Sequence, residues 1–326
     1  DGYFTDFISN GVSTELCFVA FCAFTLIIIF AGVQNGIERV SKIMMPILIV
    51  LSVIIAVYSV TRPGALAGVK YFLVPNVKNF SWMTVVSAMG QMFYSLSIAM
   101  GILITFGSYM KKDTAIEDST RNVEIFDTGI AIMAGLMIIP AVFAFSGGDP
   151  DTLQAGPSLM FITIPKVFQN MGFGTVIGIV FFLLVLFAAV TSSIALTESA
   201  VSTFEDELGW GRKKATVLVG VIMLALGSLS SLGYGPLAGI KIIGMQFLDL
   251  FDFLTNSVMM PIAALLTSLF VSRVVGIDKI EEEIIHGESA FRRKKVFVVM
   301  IKYLCPVFAI IILLSSVANA LGWIKM

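Results

Sequence analysis

Long apolar stretches, broken at intervals by short polar clusters, run the length of this 326-residue chain. A run of about 20 apolar residues crosses a roughly 30 Å hydrocarbon core as a helix. The pattern predicts eight such spans, at residues 14–34, 41–61, 83–108, 124–146, 173–204, 213–233, 242–272 and 296–322. The expected fold class is an all-α integral membrane protein, a single transmembrane domain over 1–326. The longest loop between spans, 146–172, carries the amphipathic stretch FITIPKVFQNM, which is too short to cross. It reads equally as a plain connector or as a lid folded back onto the protein.

Composition supports the pattern. The chain is 57% apolar and 13% charged with a mean hydropathy of +0.95, where soluble domains carry about 25% charged residues. A net charge of -1 and the lack of a basic or aromatic array exclude a nucleic-acid partner. Cys17, Cys22 and Cys305 fall in apolar segments without metal-ligand spacing and read as packing residues. The single histidine, His286, lies in a charged loop, so neither His-based catalysis nor a His metal cluster is expected, and the chain does not read as an enzyme. Lysine and arginine concentrate after spans one, three, five and seven, for example Lys111, Lys112 and Arg121, or Arg292–Lys295. Those loops are therefore expected to be cytoplasmic and both ends of the chain external. The opening DGYFTDFISN has neither an initiator methionine nor a signal-peptide pattern, which suggests a fragment lacking an N-terminal portion.

Candidate chemistry lies in polar residues at bilayer depth, where each needs a partner or a task. GQMFYSLSIAMG, in span three, holds Gln91, Ser95, Ser97 and Gly101 near the expected midplane. Close packing by small residues accounts for Gly90 and Gly101 singly, but poorly for the cluster. A helix interrupted at SLSIAMG accounts for all of it, since an unwound turn frees carbonyls for a cation and amides for a carboxylate. In span five, Ala188, Thr191 and Ser192 share one helical face. Two hydroxyls and a carbonyl there offer hard oxygen ligands, although back-bonding to the preceding turn explains them as well. Asp127, early in span four, suits either a ligand role or the helix dipole. Asp249 and Asp252 lie three apart on one face of span seven and need partners from elsewhere. Tyr109 ends span three, and Glu205, Asp206 and Glu207 end span five as a charge run that is either solvated or part of a gate.

Taken in order, GIERVSKIMMP, GQMFYSLSIAMG, SYMKKD, FDTGIAIMAGLMIIPAVFAF, FITIPKVF, FAAVTSSIAL and FEDELGWGRKKA resemble the neurotransmitter:sodium symporter family, the bacterial amino-acid branch in particular. The resemblance covers essentially the whole chain. It implies a sodium-coupled symporter of a small, apolar or aromatic amino acid, working by alternating access in the plasma membrane, here a bacterial inner membrane. The eight spans would correspond to family helices four to eleven. Residues 83–272 would form the complete second five-helix inverted repeat, with a discontinuous helix near 95–101, and helices one to three would be absent. By the same resemblance Ser95 and Asp127 look like first-sodium ligands, and Ala188, Thr191 and Ser192 like second-sodium ligands. Tyr94, Ser95, Ser97, Met100, Ser192 and Leu196 look like the substrate wall. Gln91 and Asp252 are similar to outer-gate residues, Tyr109 and Asp206 to inner-gate residues. Ala131 stands where chloride-dependent members place a serine, and Asp127 already supplies a negative charge, so chloride is not expected to be required. The partners implied are sodium, an amino acid and the lipid bilayer. The competing reading is a truncated, non-transporting membrane protein that binds or assembles with a partner.

Overall fold

The computed structural model describes residues 2–149, 156–170 and 172–323. Among them the structure is helical, apart from one isolated β-bridge between Ile242 and Met245. In chain order the helices are α1 (Gly2–Ser9), α2 (Gly11–Phe30), α3 (Arg39–Val60), α4 (Ala65–Leu73), α5 (Trp82–Ser95), α6 (Ile102–Ser108), α7 (Ile116–Ser146) and α8 (Ile164–Gln169). They continue as α9 (Gly174–Leu208), α10 (Arg212–Leu232), α11 (Phe247–Asp252), α12 (Met260–Phe270), α13 (Ile277–Gly287), α14 (Lys294–Val299) and α15 (Cys305–Ala320). Turns of π-helix precede α3 and join α11 to α12 and α14 to α15 into longer rods.

Seven of these rods are long and apolar enough to cross a membrane: Gly11–Phe30, Val33–Val60, Ile116–Ser146, Gly174–Leu208, Arg212–Leu232, Phe247–Val275 and Lys294–Ala320. Eight spans were expected. The difference is the segment 83–108, which the chain builds as two short helices, α5 and α6, neither of spanning length. Apolar residues also cover the outsides of the rods. On α3, Ile43, Ile47, Val50, Ile54 and Val57 recur at intervals of three and four and are all exposed, as a lipid-facing stripe requires.

The contacts divide the chain into two compact units. The first comprises Asp1–Lys78, Thr128–Thr197 and Phe204–Ala238. Its core gathers Ile55, Met137, Ala141, Val142, Ile164, Val167, Phe168 and Phe181. Phe168 and Phe181 meet edge to face with centroids 5.5 Å apart. The FITIPKVF stretch is therefore folded back and buried through α8, and of the two readings of loop 146–172 the docked one describes this part. Residues 150–155 and 171 of that loop lie outside the described residues. Packing is set by small residues, because within lipid the gain comes from close van der Waals approach. A Cβ at Gly68 would stand 2.7 Å from Pro140 Cα, and one at Gly227 would stand 2.1 Å from the Phe18 ring. Within α7, one turn before Pro140, the Met137 carbonyl accepts from Ser59 Oγ at 2.7 Å.

The second unit comprises Asn79–Asp127, Glu198–Thr203 and Gly239–Met326. A capping box opens α5: the Thr84 amide donates to Ser81 Oγ at 3.2 Å, and the Ser81 amide to Thr84 Oγ1 at 3.3 Å. The first turn of α7 is capped from far along the chain. Glu288 Oε1 accepts the Glu117 and Asp118 amides at 2.6 and 3.2 Å. In return the Glu117 carboxylate accepts the Arg292 and Arg293 amides at 2.9 and 3.1 Å, and Arg293 pairs with Glu124 at 2.9 Å.

Candidate functional site

The polar cluster in GQMFYSLSIAMG coincides with a break in the helix. α5 stops at Ser95 and α6 starts at Ile102. Between them Ser97 and Ala99 take left-handed φ values of 54° and 64°, and Gly101 takes 78°. Such values are costly for residues with a Cβ, about 1–3 kcal/mol each, and cluster at functional sites. Gly101 is demanded twice, by its φ and by its surroundings, since a Cβ there would stand 2.6 Å from Ser199 Oγ. Ser199 donates to the Met100 carbonyl at 3.4 Å, so this stretch of α9 lies against the far side of the break.

Ser95, at the end of α5, donates to Asp127 Oδ1 at 2.6 Å. A hydroxyl bound to an ionised carboxylate is a short, charge-assisted bond, about twice as strong as a neutral one. The first-site pair suggested by the resemblance is therefore in direct contact, though the two residues lie 32 positions apart in sequence. On the same unit, Gln91 and Asp252 line one cavity of about 440 Å³, together with Tyr94, Asn256 and Ser257. Asn256 donates to Asp252 Oδ1 at 2.5 Å. It sits in the π-helical turn Phe253–Met259, a deviation common at functional positions. Ser97 and Met100 are half-buried in the break itself.

Tyr109 donates through its hydroxyl to Glu198 Oε1 at 2.7 Å. Glu198 is fully buried, at 0% exposure. The sequence reading passed over this residue, although a carboxylate amid the apolar run of α9 was a signal of the same kind as Asp127. Asp206, the residue grouped with Tyr109 by resemblance, is exposed about two turns further along α9 and belongs to the first unit. Beside it, Glu205 forms an ion pair with Arg212 at 3.6 Å. Asp249 is exposed on α11.

The remaining candidates, Ala188, Thr191, Ser192 and Leu196, lie in the first unit on unbroken α9. Thr191 donates back to the Phe187 and Ala188 carbonyls at 3.1 and 3.0 Å, the back-bonded arrangement that its spacing also allowed. Ser192 and Leu196 are exposed, on one face one turn apart. Ser193, on the next face, lies 3.0 Å from buried Thr25 Oγ1 and ties α9 to α2. Asn256, Ser257 and Ser316 are cavity residues the sequence reading did not single out; Asn256 was signalled only by its spacing of four from Asp252. Among the described residues no group of three His, Cys, Asp or Glu side chains is placed to hold a metal. Any cation here would rely on hydroxyl, carbonyl and single carboxylate oxygens, the donors that suit a hard ion.

Comparison with known proteins gives a consistent match. The sequence model described as the Sodium:neurotransmitter symporter family matches residues 7–323. An uncharacterised sodium-dependent transporter of Bacillus subtilis is 34% identical over 315 residues, covering 96% of this chain and 69% of its own length. An uncharacterised sodium-dependent transporter of Methanocaldococcus jannaschii is 30% identical over 79% of this chain and 52% of its own length. One of Haemophilus influenzae is 31% identical over 89% and 62%. Among solved structures, MhsT in complex with L-phenylalanine superposes with a TM-score of 0.84 at 34% identity, covering 97% of this chain and 70% of that one. The chain thus spans between about half and about two thirds of the length of these relatives.

Proposed function

The chain belongs to the sodium:neurotransmitter symporter family and is a multi-pass membrane protein, and we propose that it forms part of a sodium-coupled symporter for an apolar or aromatic amino acid. The observation that carries this reading is the 2.6 Å bond from Ser95 to Asp127 beside the break in α5–α6. Unwinding frees carbonyls, and a carboxylate next to them adds the charge that draws a cation. Sodium is the coupled cargo. Ser95 and Asp127 would ligate one ion, and Ala188, Thr191 and Ser192 a second. For the second site the Thr191 hydroxyl keeps its donor bond to the turn behind it and offers its lone pairs to the ion.

The amino acid would lie against Tyr94, Ser95, Ser97, Met100, Ser192 and Leu196. Tyr94 and Met100 favour an apolar or aromatic side chain, and the bound L-phenylalanine of MhsT supports that class. Gln91 and Asp252 serve the outer gate, and Tyr109 and Asp206 the inner one. Because Asp127 supplies a fixed negative charge and Ala131 offers no hydroxyl, chloride is not needed. Sodium drives uptake through its different affinity for outward and inward states.

The test is binding of a panel of amino acids to the intact protein, with sodium or with choline. Saturable, sodium-dependent binding of apolar or aromatic L-amino acids is expected. Binding indifferent to sodium, or confined to charged amino acids, overturns the reading. Uptake that fails when gluconate replaces chloride overturns the role given to Asp127.

A further inference from the structure

A further carboxylate, near the start of a membrane-length helix, lies outside this machinery. Glu15 is in the second turn of α2, a helix of 20 otherwise uncharged residues. Ser228 of α10 donates to its Oε1 at 2.5 Å, and Ser231 donates to its Oε2. Among the described residues no lysine, arginine or histidine pairs with it.

The surroundings are apolar. Glu15 lines a groove of about 540 Å³ whose other walls include Asn10, Val12, Leu16, Val19, Leu232 and Pro236. The groove follows α2 from Asn10 to Val19, roughly 14 Å at 1.5 Å per residue. α2 starts at Gly11 and α10 ends at Leu232, so Glu15, Ser228 and Ser231 sit within about a turn of the ends of two membrane-length helices, the level at which lipid headgroups meet a spanning helix.

We infer that this groove is a binding site for a membrane lipid carrying a primary ammonium headgroup, such as phosphatidylethanolamine. A carboxylate has about four lone-pair directions. The two serines occupy two of them, which leaves acceptors for the N–H groups of an ammonium. Asn10 takes the Ser13 amide on its carbonyl oxygen, which leaves its own amide N–H groups for the lipid phosphate. Leu16, Val19 and Leu232 then flank an acyl chain. A choline headgroup has no N–H to donate, and phosphatidylglycerol carries no cation, so the site discriminates against both.

The test is lipid retention measured by native mass spectrometry after release of the protein from nanodiscs holding equal phosphatidylethanolamine, phosphatidylcholine and phosphatidylglycerol. Charge-assisted hydrogen bonds predict roughly tenfold enrichment of the ethanolamine lipid over the choline lipid. Glu15→Gln should bring the two to parity. Val19→Trp alters an exposed wall without touching the charge, and should remove the enrichment by filling the groove. Equal retention of both lipids by the unmodified protein overturns the inference, as does enrichment that survives Glu15→Gln or Val19→Trp. Dodecylammonium binding at Glu15 without enrichment of the ethanolamine lipid also overturns it, because the site would then select free amines.

Discussion

Two membrane segments present the polar groups proposed to hold sodium, and they do so in opposite ways. α5–α6 gives up its helix between Ser95 and Ile102 and accepts left-handed backbone at Ser97, Ala99 and Gly101. α9 runs unbroken from Gly174 to Leu208 and keeps Thr191 bonded to its own preceding turn. The broken segment exposes backbone and needs neighbours to hold it there, Asp127 on one side and Ser199 on the other. The intact segment strains no backbone and offers mainly side-chain hydroxyls, with the Ala188 carbonyl beside them. A membrane protein can thus obtain oxygen ligands either by unwinding, at the cost of strain, or by placing hydroxyls on a closed helix.

The largest effect expected from breaking this contrast is that of Gly101→Val. A β-branched residue at φ 78°, with a Cβ 2.6 Å from Ser199 Oγ, should prevent α5–α6 from closing on α9. Little monodisperse protein in size-exclusion chromatography and no uptake are expected; a well-folded, active variant would show that the break tolerates a side chain. Asp127→Ala comes next. Hydrogen bonds to charged groups contribute about 1.5–3 kcal/mol, so the sodium concentration for half-maximal uptake should rise roughly 10- to 100-fold in a sodium titration. Thr191→Val keeps shape and removes one neutral hydroxyl; a few-fold rise in the same titration is expected, with unchanged thermal stability. Unchanged sodium dependence would remove Thr191 from the second site. The smallest effect belongs to Ala195→Gly on α9. It should cost about 1 kcal/mol of stability, read as a lower melting temperature, and leave sodium activation as it was.

The break was legible because hydrocarbon leaves few uses for Gln91, Ser95, Ser97 and Gly101 in one helix. The count of spans was not, because hydropathy averages over the interruption and scores 83–108 as one rod. The contact between Ser95 and Asp127 was reached only through resemblance; no local pattern links residues on separate helices. Glu198 was missed for a different reason. It precedes the charged end Glu205–Glu207 on the same helix, and a window over sequence does not show that one carboxylate is buried while Asp206 and Glu207 are exposed. For Thr191 the sequence offered two partners for one hydroxyl, a carbonyl of the turn behind it for its proton and an ion for its lone pairs. Whether the lone pairs are used is set by what else approaches the helix face.

The reciprocal caps at the start of α7 have a consequence for biogenesis. Glu288 follows Glu117 by 171 residues. At a translation rate of about 5–20 residues per second, α7 is made roughly 10–30 s before its cap exists. Until then its first amides rest on water at the membrane surface. The loop before α14 therefore finishes a helix begun 171 residues earlier, and a ribosome stalled before residue 288 would leave a membrane-inserted chain whose α7 is frayed at its start. Such a chain is a natural substrate for quality-control proteolysis at that end.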